Sequence, residues 1–298
     1  MKHNLNFVNY FRKFNILSLI LVLISLIFIT FKGLNYGIDF KGGTLIEIRL
    51  ENKDIKVSNI RDSLRKINLG DVNVKNFGED SDFLIKIEEK LNNNEALITK
   101  IKTTLNQDLN EEVNYRRVES VGPKVSAELL KSGVISIGLA LLMMLFYIWF
   151  RFEWQFSIGA IVAIFHDVII TLGIFSLLSL EINLSIVAAV LTIVGYSMND
   201  TVVIFDRVRE NLKKYADIKI FDLTNLSINE TLSRTLITSV TTLLALLSIF
   251  FFGGEILKGF SFAMILGVIL GTYSSIFIAN PVLVYFKVSQ KTLIKEED

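Results

Sequence analysis

The sequence predicts a polytopic α-helical membrane protein with six transmembrane helices and an α+β, ferredoxin-like extracytoplasmic domain between helices 1 and 2. Three observations support this prediction. Hydrophobic residues make up 51% of the 298 residues, and the mean hydropathy of +0.50 exceeds that of most soluble proteins. Charged residues nearly avoid several long stretches. A long segment after the first of these stretches is instead rich in charge and in short alternating patterns.

Six stretches are apolar enough and long enough to cross a hydrocarbon core of about 30 Å. They run over 14–31, 133–150, 156–179, 182–205, 233–252 and 260–286, and we call them the first to sixth spans. The first span is longer than the apolar part of a signal peptide, and no small-x-small cleavage site follows it, so an uncleaved helix is expected.

The spans divide the chain into four parts. We expect an N-terminal tail with helix 1 over 1–31, an extracytoplasmic domain over 32–132, helices 2–6 over 133–286 and a cytoplasmic tail over 287–298.

Lysine and arginine collect on one side of these spans. The turn at 180–183 has none and the turn at 253–259 has only Lys258. Both termini are therefore predicted to be cytoplasmic, with 32–132 outside. The basic residues that set this orientation are Lys2, Arg12, Lys13, Arg151, Arg207, Arg209, Lys213, Lys214, Lys219, Lys287, Lys291 and Lys295.

The segment between the first two spans has the pattern β-α-β-β-α-β, which is the ferredoxin-like order. Strands are expected over 44–50, 72–77, 83–87 and 113–121, because apolar residues alternate with polar ones there. Ser58 and Asn94 are candidate N-caps of the two helices. Residues 125–131 fit either an interfacial helix or an extension of the second span.

Several classes of function are disfavoured by composition. The chain has no cysteine, and its two histidines, His3 and His166, are far apart in sequence, so a metal centre is not expected. It has no Walker-type glycine loop, so no ATPase activity and no nucleotide cofactor are expected.

Asp200 is the strongest candidate for function. Placing a carboxylate within a span costs at least about 2.5–3.5 kcal/mol, and acids in such places usually mark ion pathways. The predicted helix puts Asp200 about 8 Å inside its cytoplasmic end. Arg234, at the start of the fifth span, can meet it at similar depth as a fixed positive partner. The plainer alternatives are an interfacial aspartate that snorkels and an ordinary positive-inside anchor.

Other polar residues in the spans have two interpretations each. Thr192, Tyr196 and Asn199 follow helical spacing around Asp200, and the fifth span adds a run of threonines. Their hydroxyls can hold a water chain or simply join helices. The threonines of the fifth span are Thr235, Thr238, Thr241 and Thr242.

His166 and Asp167 are predicted near the middle of the third span, where they either support the pathway or form a structural hydrogen bond. Adjacent residues on a helix point about 100° apart, so at most one of them is expected to face the pathway directly.

Small residues suggest two further roles. Gly267, Gly271 and Ser275 form part of a small-xxx-small stripe on the sixth span, which is typical of close helix packing. Gly37, Gly42 and Gly43 flank the strand that leaves the membrane, and we interpret them as hinges or as simple turn glycines.

Seven segments taken together resemble the SecD/SecF family, in its SecF half, over nearly the whole chain. Lys41 and Met198 depart from the residues expected in many relatives, although neither carries the proposed chemistry. The segments are Tyr36-Gly37-Ile38-Asp39-Phe40-Lys41-Gly42-Gly43-Thr44, Val121-Gly122-Pro123-Lys124-Val125, Phe165-His166-Asp167-Val168, Val194-Gly195-Tyr196-Ser197-Met198-Asn199-Asp200-Thr201, Phe205-Asp206-Arg207, Leu232-Ser233-Arg234-Thr235 and Gly271-Thr272-Tyr273-Ser274-Ser275.

The resemblance implies a proton-driven accessory subunit of bacterial protein export. Such a subunit pairs with SecD beside the SecYEG channel in the inner membrane, contacts lipid and the translocating preprotein, and binds no nucleic acid. Its fold is similar to the resistance–nodulation–division transporters, and the family places its functional Asp and Arg at the positions of Asp200 and Arg234. One six-helix half is present, so the fused SecD–SecF form is not expected.

Two alternatives to protein export remain open. One is a small-molecule or lipid exporter of the same superfamily, which would need a tunnel through the outer domain. The other is a structural assembly subunit, in which Asp200 is only a buried anchor. The sequence leaves the coupling ion, H⁺ or Na⁺, undetermined.

Overall fold

A computed structural model describes residues 5–52, 54–67, 69, 72–88, 94–215, 218–290 and 292. The chain forms two compact units, one from Tyr36 to Val134 and the other from the segments before and after it. Lys2, His3, Lys291, Lys295 and most of the predicted tail over 287–298 lie outside the described residues.

The larger unit is a bundle of helices. Six helices in the described part of the chain are long and apolar enough to cross a membrane, which confirms the six predicted spans. Their bounds are Phe11–Phe31, Pro123–Arg151, Trp154–Leu178, Leu184–Lys214, Ile220–Phe252 and Glu255–Ser274. The sixth continues through a π-helical turn, Ser275–Ala279, into the helix Asn280–Tyr285.

Three helix ends differ from the predicted ones by nine residues or more. The second helix begins at Pro123, so residues 125–131 extend it rather than forming a separate helix. The fourth continues to Lys214 and the fifth begins at Ile220. Hydropathy identifies only the apolar part of a helix. The helix itself can continue into charged sequence when the charged side chains have partners. Arg207, for example, donates to Glu230 on the fifth helix at 2.7 Å.

Small residues set the closest approaches in this bundle. The sixth span packs on the fourth, because a Cβ at Gly267 would lie 2.2 Å from Ile193 Cγ1 and one at Gly271 would lie 3.0 Å from Ser197 Cβ. The third span meets the first in the same way at Gly173 and Ser25. Ser275, Ala263 and Ala279 are fully buried. The predicted small-residue stripe therefore packs within this chain.

The smaller unit is an α/β sandwich of one sheet and two helices. Its elements are β1 (Gly43–Arg49), α1 (Val57–Arg65), β2 (Val72–Phe77), β3 (Glu79–Ile87), α2 (Asn94–Leu109) and β4 (Asn114–Val121). The strands lie in the order β2-β3-β1-β4 with antiparallel neighbours, as in the ferredoxin-like fold. A one-turn helix, Ile38–Lys41, precedes β1.

The core of this unit lies between the sheet and its helices. Alternate residues of β1 and β3 point to the helices, and each buried aliphatic side chain contributes about 1.5–3 kcal/mol relative to an exposed one. The fully buried members are Ile46, Ile48, Ile85, Ile87, Ile60, Leu64, Ile101 and Leu105.

The predicted cap of the first helix, Ser58, is wrong. Lys56 is the N-cap of α1, Ser58 lies inside the helix, and Asn59 Oδ1 accepts a hydrogen bond from Lys56 N at 3.0 Å. Asn94 is the first described residue of α2, and its role as a cap stays a prediction. Serine favours the cap position, but in α1 the side chain three residues after the cap accepts from the backbone N–H of the cap residue, which is the reciprocal half of a capping box.

Gly42 and Gly43 occupy backbone conformations that only glycine adopts easily. Their φ angles are +81° and +124°. A Cβ at Gly43 would lie 2.4 Å from Ile87 O, and one at Gly42 would lie 3.3 Å from Val121 O. Gly37 has an ordinary φ of −75°. Close packing thus explains the glycine pair by itself, and a pivoting role stays a prediction.

Candidate functional site

Asp200 lies inside the helix bundle, with 3% of its surface exposed. Its carboxyl lies near the hydroxyls of Ser239 on the fifth helix and Thr272 on the sixth. These two hydroxyls are hydrogen-bonded to each other at 2.7 Å. Asp200 Oδ2 is buried and has no hydrogen-bond partner in the described part of the chain. The position is therefore polar, enclosed and incompletely satisfied.

Asp200 is also further from the end of its helix than predicted. The fourth helix runs fourteen residues beyond it to Lys214, which is about 21 Å along the axis.

Arg234 lies near Asp200 without touching it. Its positive charge acts on the Asp200 carboxylate, but no ion pair within 4.0 Å joins the two among the residues that the structure describes. The Arg234 side chain is exposed on the outer face of the fifth helix. The structure thus brings the predicted pair into electrostatic range and leaves the guanidinium accessible.

Two of the residues grouped with Asp200 by helical spacing lie on another face of the helix. Thr192 and Asn199 are exposed, and the Thr192 hydroxyl donates to Ala188 O of its own helix at 2.8 Å. Tyr196 is half-buried, and its hydroxyl has no partner among the described atoms. Any pathway role for Thr192 and Asn199 would have to lie on the outer surface of the bundle.

The threonines of the fifth helix mostly bind their own backbone. The hydroxyls of Thr238, Thr241 and Thr242 donate to carbonyls one turn earlier, at 2.8–3.1 Å. Thr235 is 1% exposed, and its hydroxyl has no partner among the described residues. A serine, Ser239, supplies the hydroxyl beside Asp200.

A second acid lies deeper in the bundle. Asp167 is completely buried on the third helix. Its Oδ2 accepts hydrogen bonds from Ser197 at 2.6 Å and Ser274 at 2.7 Å, and its Oδ1 lies 2.8 Å from His166 Nδ1. Although adjacent residues diverge on a helix, the two side chains bend together and both face the bundle interior.

Sequence reasoning missed the hydroxyl partners of both acids. Ser197, Thr272 and Ser274 stood inside quoted motifs without a role, and Ser239 was not singled out. The available signal was that each buried carboxylate needs donors, which must come from polar residues of neighbouring helices.

The site contains the elements of proton binding and no evident metal cage. No group of three or more His, Cys, Asp or Glu side chains is placed to hold a metal ion in the residues described. An enclosed carboxylate with one free oxygen can take up a proton, and a nearby guanidinium stays charged whatever the protonation state of that carboxylate.

A bundle of six spans with an inserted ferredoxin-like domain and buried acids defines a multi-pass membrane protein. Residues 101–289 match the family "Protein export membrane protein SecD/SecF, C-terminal", and residues 27–54 match the "SecD/SecF GG Motif" family. The chain belongs to the SecD/SecF family of protein-export membrane proteins.

Curated relatives match nearly end to end. The chain is 45% identical to the protein translocase subunit SecF of Rickettsia rickettsii, over 96% of this chain and 92% of the relative. It is 44% identical to SecF of Desulfurispirillum indicum, over 91% and 88%. These relatives are named as translocase subunits rather than as enzymes.

Two solved structures share the fold. The crystal structure of SecDF from Thermus thermophilus, described as a translocon-associated membrane protein, superposes with a TM-score of 0.85 at 36% identity. SecDF in a super-membrane-facing form gives 0.71 at 35% identity. They cover 95% and 99% of this chain, whereas the chain spans only 38% and 40% of theirs.

Proposed function

We propose that the chain is an accessory subunit of the Sec protein-export translocase. It couples proton flow through the helix bundle to movement of the ferredoxin-like domain, and this movement promotes preprotein translocation. The observation that carries the proposal is Asp200, a buried carboxylate with one unpartnered oxygen in electrostatic range of Arg234. The near-complete match to SecF relatives supports the export role.

Asp200 and Arg234 would act as a charge switch. When Asp200 is ionised, the guanidinium attracts it; when a proton arrives, this attraction is lost and the helices can shift. One charge moving through about 150 mV releases roughly 3.5 kcal/mol. That is enough to bias a two-state movement by roughly a few hundred-fold.

The proposed partners are SecD, the SecYEG channel, the preprotein and membrane lipid. SecD is favoured because SecDF is a single chain of which this protein matches about two fifths. The exposed apolar faces of the first, second and fifth spans fit contact with a partner helix or with lipid. We place the protein in the inner membrane with both termini cytoplasmic, from the distribution of basic residues.

Gly37, Gly42 and Gly43 are retained as the proposed pivot of the domain. A pivot at the glycine pair would have to preserve the packing of Gly43 on Ile87, so bending is expected before Gly42.

The proposal is tested by replacing Asp200 with Asn in vesicles that hold the complete translocase. Asp200→Asn keeps the shape and removes the charge, so the gradient-dependent part of export should be lost while ATP-driven transfer continues. Asp206→Asn is the matched control, because this aspartate lies on the same helix in an exposed pair with Arg151. That variant should export normally.

Each outcome separates the alternatives. Wild-type gradient dependence in Asp200→Asn would leave Asp200 a structural anchor and overturn the proton-coupling proposal. Normal preprotein export together with gradient-driven efflux of a small molecule or lipid would favour an exporter. Repeating the assay with Na⁺ in place of a pH gradient identifies the coupling ion.

A further inference from the structure

His166 has one buried ring nitrogen with a hydrogen bond and one without. The residue is 5% exposed. Nδ1 lies 2.8 Å from Asp167 Oδ1, whereas Nε2 is buried and has no partner within the described part of the chain. A buried imidazole that serves only as a structural contact usually has both nitrogens satisfied. The unpartnered nitrogen therefore calls for a chemical role.

The ring is also held rigidly from the opposite side. It stacks on Tyr273 of the sixth helix, with ring centroids 5.8 Å apart. The Tyr273 hydroxyl donates to Phe14 O at 2.9 Å and lies 2.7 Å from Ser18 Oγ, both on the first helix. Tyr273 thus joins the His166 ring of the third helix to the first and sixth helices, and this contact fixes the orientation of the ring.

The Asp167 carboxyl lies among hydrogen-bond donors beside this ring. Three donors reach its carboxylate, namely Ser197 and Ser274 hydroxyls and, when the imidazole carries its hydrogen there, His166 Nδ1. Hydrogen bonds of this kind stabilise a buried carboxylate. These donors are the groups that would compensate an Asp167 carboxylate when His166 is neutral.

No other charge compensates this pair within the described residues around it. The first helix presents Ser18 and Phe14, the fourth presents Ser197, and the sixth presents Tyr273 and Ser274. Asp200, one turn beyond Ser197, interacts with the fifth and sixth helices instead. With Asp167 ionised, the pair has a net charge of −1 when His166 is neutral and none when His166 is an imidazolium.

We propose that His166 and Asp167 form a second proton-binding site, separate from Asp200, with His166 Nε2 as the atom that takes up and releases the proton. Uptake forms an N–H bond at the Nε2 lone pair and changes the pair from −1 to neutral. Nδ1–H remains donated to Asp167, and no other bond is made or broken. Only the link to export depends on the function proposed above.

The alternative is a purely structural His166–Asp167 hydrogen bond, in which Nε2 never gains a proton. Isotope labelling distinguishes the two, because the chain has only two histidines. His3→Gln leaves His166 as the single histidine. The ¹⁵N spectrum of the labelled full-length protein in lipid nanodiscs then reports the protonation of both ring nitrogens between about pH 5 and pH 9.

We expect one-nitrogen-protonated imidazole at high pH and two-nitrogen-protonated imidazole at low pH. At fixed pH, Asp167→Asn should lower the ratio of doubly to singly protonated ring at least tenfold, because it removes the compensating charge. Asp200→Asn should leave the ratio unchanged. A ring that stays singly protonated throughout would overturn the proposal, as would an unchanged ratio in Asp167→Asn.

Export in vesicles tests the functional link. His166→Asn keeps an amide N–H near the position of Nδ1 and lacks Nε2, so a structural hydrogen bond would be rescued and a proton site would not. We expect at least a fivefold loss of gradient-dependent export in His166→Asn, with an unchanged thermal midpoint of the purified chain. Full export from His166→Asn would overturn the link and leave the Asp200 test untouched. If His166→Asn lost gradient-dependent export while Asp200→Asn kept it, the role proposed for Asp200 would be overturned and the His166 site would stand.

Discussion

The two acids of the helix bundle share a local arrangement. Asp200 lies beside hydroxyls of the fifth and sixth helices, and Asp167 accepts from hydroxyls of the fourth and sixth. Thr272 and Ser274 stand two positions apart on the sixth helix, so they point to different sides of it. The sixth helix thus carries a hydroxyl for each acid, which explains why its polar segment lies between the two.

Prediction at single residues was uneven for a physical reason. A charge within an apolar stretch is conspicuous, so Asp200, Asp167 and Arg234 were identifiable from the sequence. Serines and threonines in membrane helices satisfy themselves on their own backbone, and spacing does not reveal which ones face another helix. Ser239 therefore became visible only once the fifth and sixth helices were packed together.

Asp82 of the ferredoxin-like domain carries a prediction about pH. Arg49 donates two hydrogen bonds of 2.6 Å to its buried carboxylate, with Arg116 nearby at 3.4 Å. The hydrogen bonds from Arg49 hold the pKa of Asp82 below its ordinary value of 3.8. Because the folded pKa is the lower one, this stabilisation is complete above the unfolded pKa and is lost as pH falls through the folded pKa.

We therefore expect Asp82→Asn to destabilise the domain by about 1.5–3 kcal/mol at pH 7. The difference from wild type should shrink as pH falls below about 4. Hydrogen-exchange protection of β1 and β3 in the full-length protein measures it, with rates referenced to intrinsic exchange at each pH. Asp62→Asn is the control, because that carboxylate is exposed beside Arg65. A pH-independent deficit in Asp82→Asn would contradict the assignment.

Elements were predicted better than their ends. All six spans and the β-α-β-β-α-β order were identifiable, because long apolar stretches and two-residue alternation each have few structural solutions. The ends of the second, fourth and fifth helices were not, since those helices continue into charged sequence. The π-helical turn at Ser275–Ala279 had no clear signal except the nearby Pro281, which cannot complete a regular helical ladder.

Contact between the fourth and sixth helices can be tested at Gly267. A Cβ there would lie 2.2 Å from Ile193, so Gly267→Ala should destabilise the bundle by about 1–3 kcal/mol. Gly195→Ala is the matched control, because nothing lies within 4 Å of that position. There alanine should be neutral or stabilising by up to about 1 kcal/mol. Thermal unfolding of the full chain in detergent measures both.

A second substitution at Ile193 should partly restore the stability lost in Gly267→Ala. Ile193→Ala removes the side chain that Gly267→Ala would strike, so the double variant should lose less than the sum of the two single variants. Equal effects of alanine at positions 267 and 195, with no rescue, would show that this helix contact is not limiting.

At the scale of the whole molecule, the helix bundle leaves one set of apolar helix faces exposed. The third, fourth and sixth spans are the most buried, whereas the first, second and fifth expose long rows of apolar side chains. Arg234 lies on the exposed face of the fifth. A charged side chain of this kind within a span is expected to face protein or water rather than lipid. This surface is where the proposed partner SecD would bind.

Cysteine cross-linking checks this assignment, because the chain contains no cysteine of its own. Ile237→Cys introduces one thiol close to Arg234, on a side chain that is 61% exposed. We expect a cross-link to SecD carrying thiols on its facing helices, in native membranes. Leu246→Cys, 7% exposed on the same helix, should give none. Absence of the first product, or equal yield from both, would place SecD elsewhere.

The pairing of Gly43 with Val121 has a mechanical consequence. The polypeptide enters the ferredoxin-like domain at β1 and leaves it at β4. These two strands are neighbours in the sheet, so backbone hydrogen bonds join the two connecting segments. Force applied to either connecting segment would pass directly to the other through the β1–β4 pairing. If the proposed movement of the domain occurs, we expect force to enter it at the paired ends of β1 and β4 rather than at two separate ends.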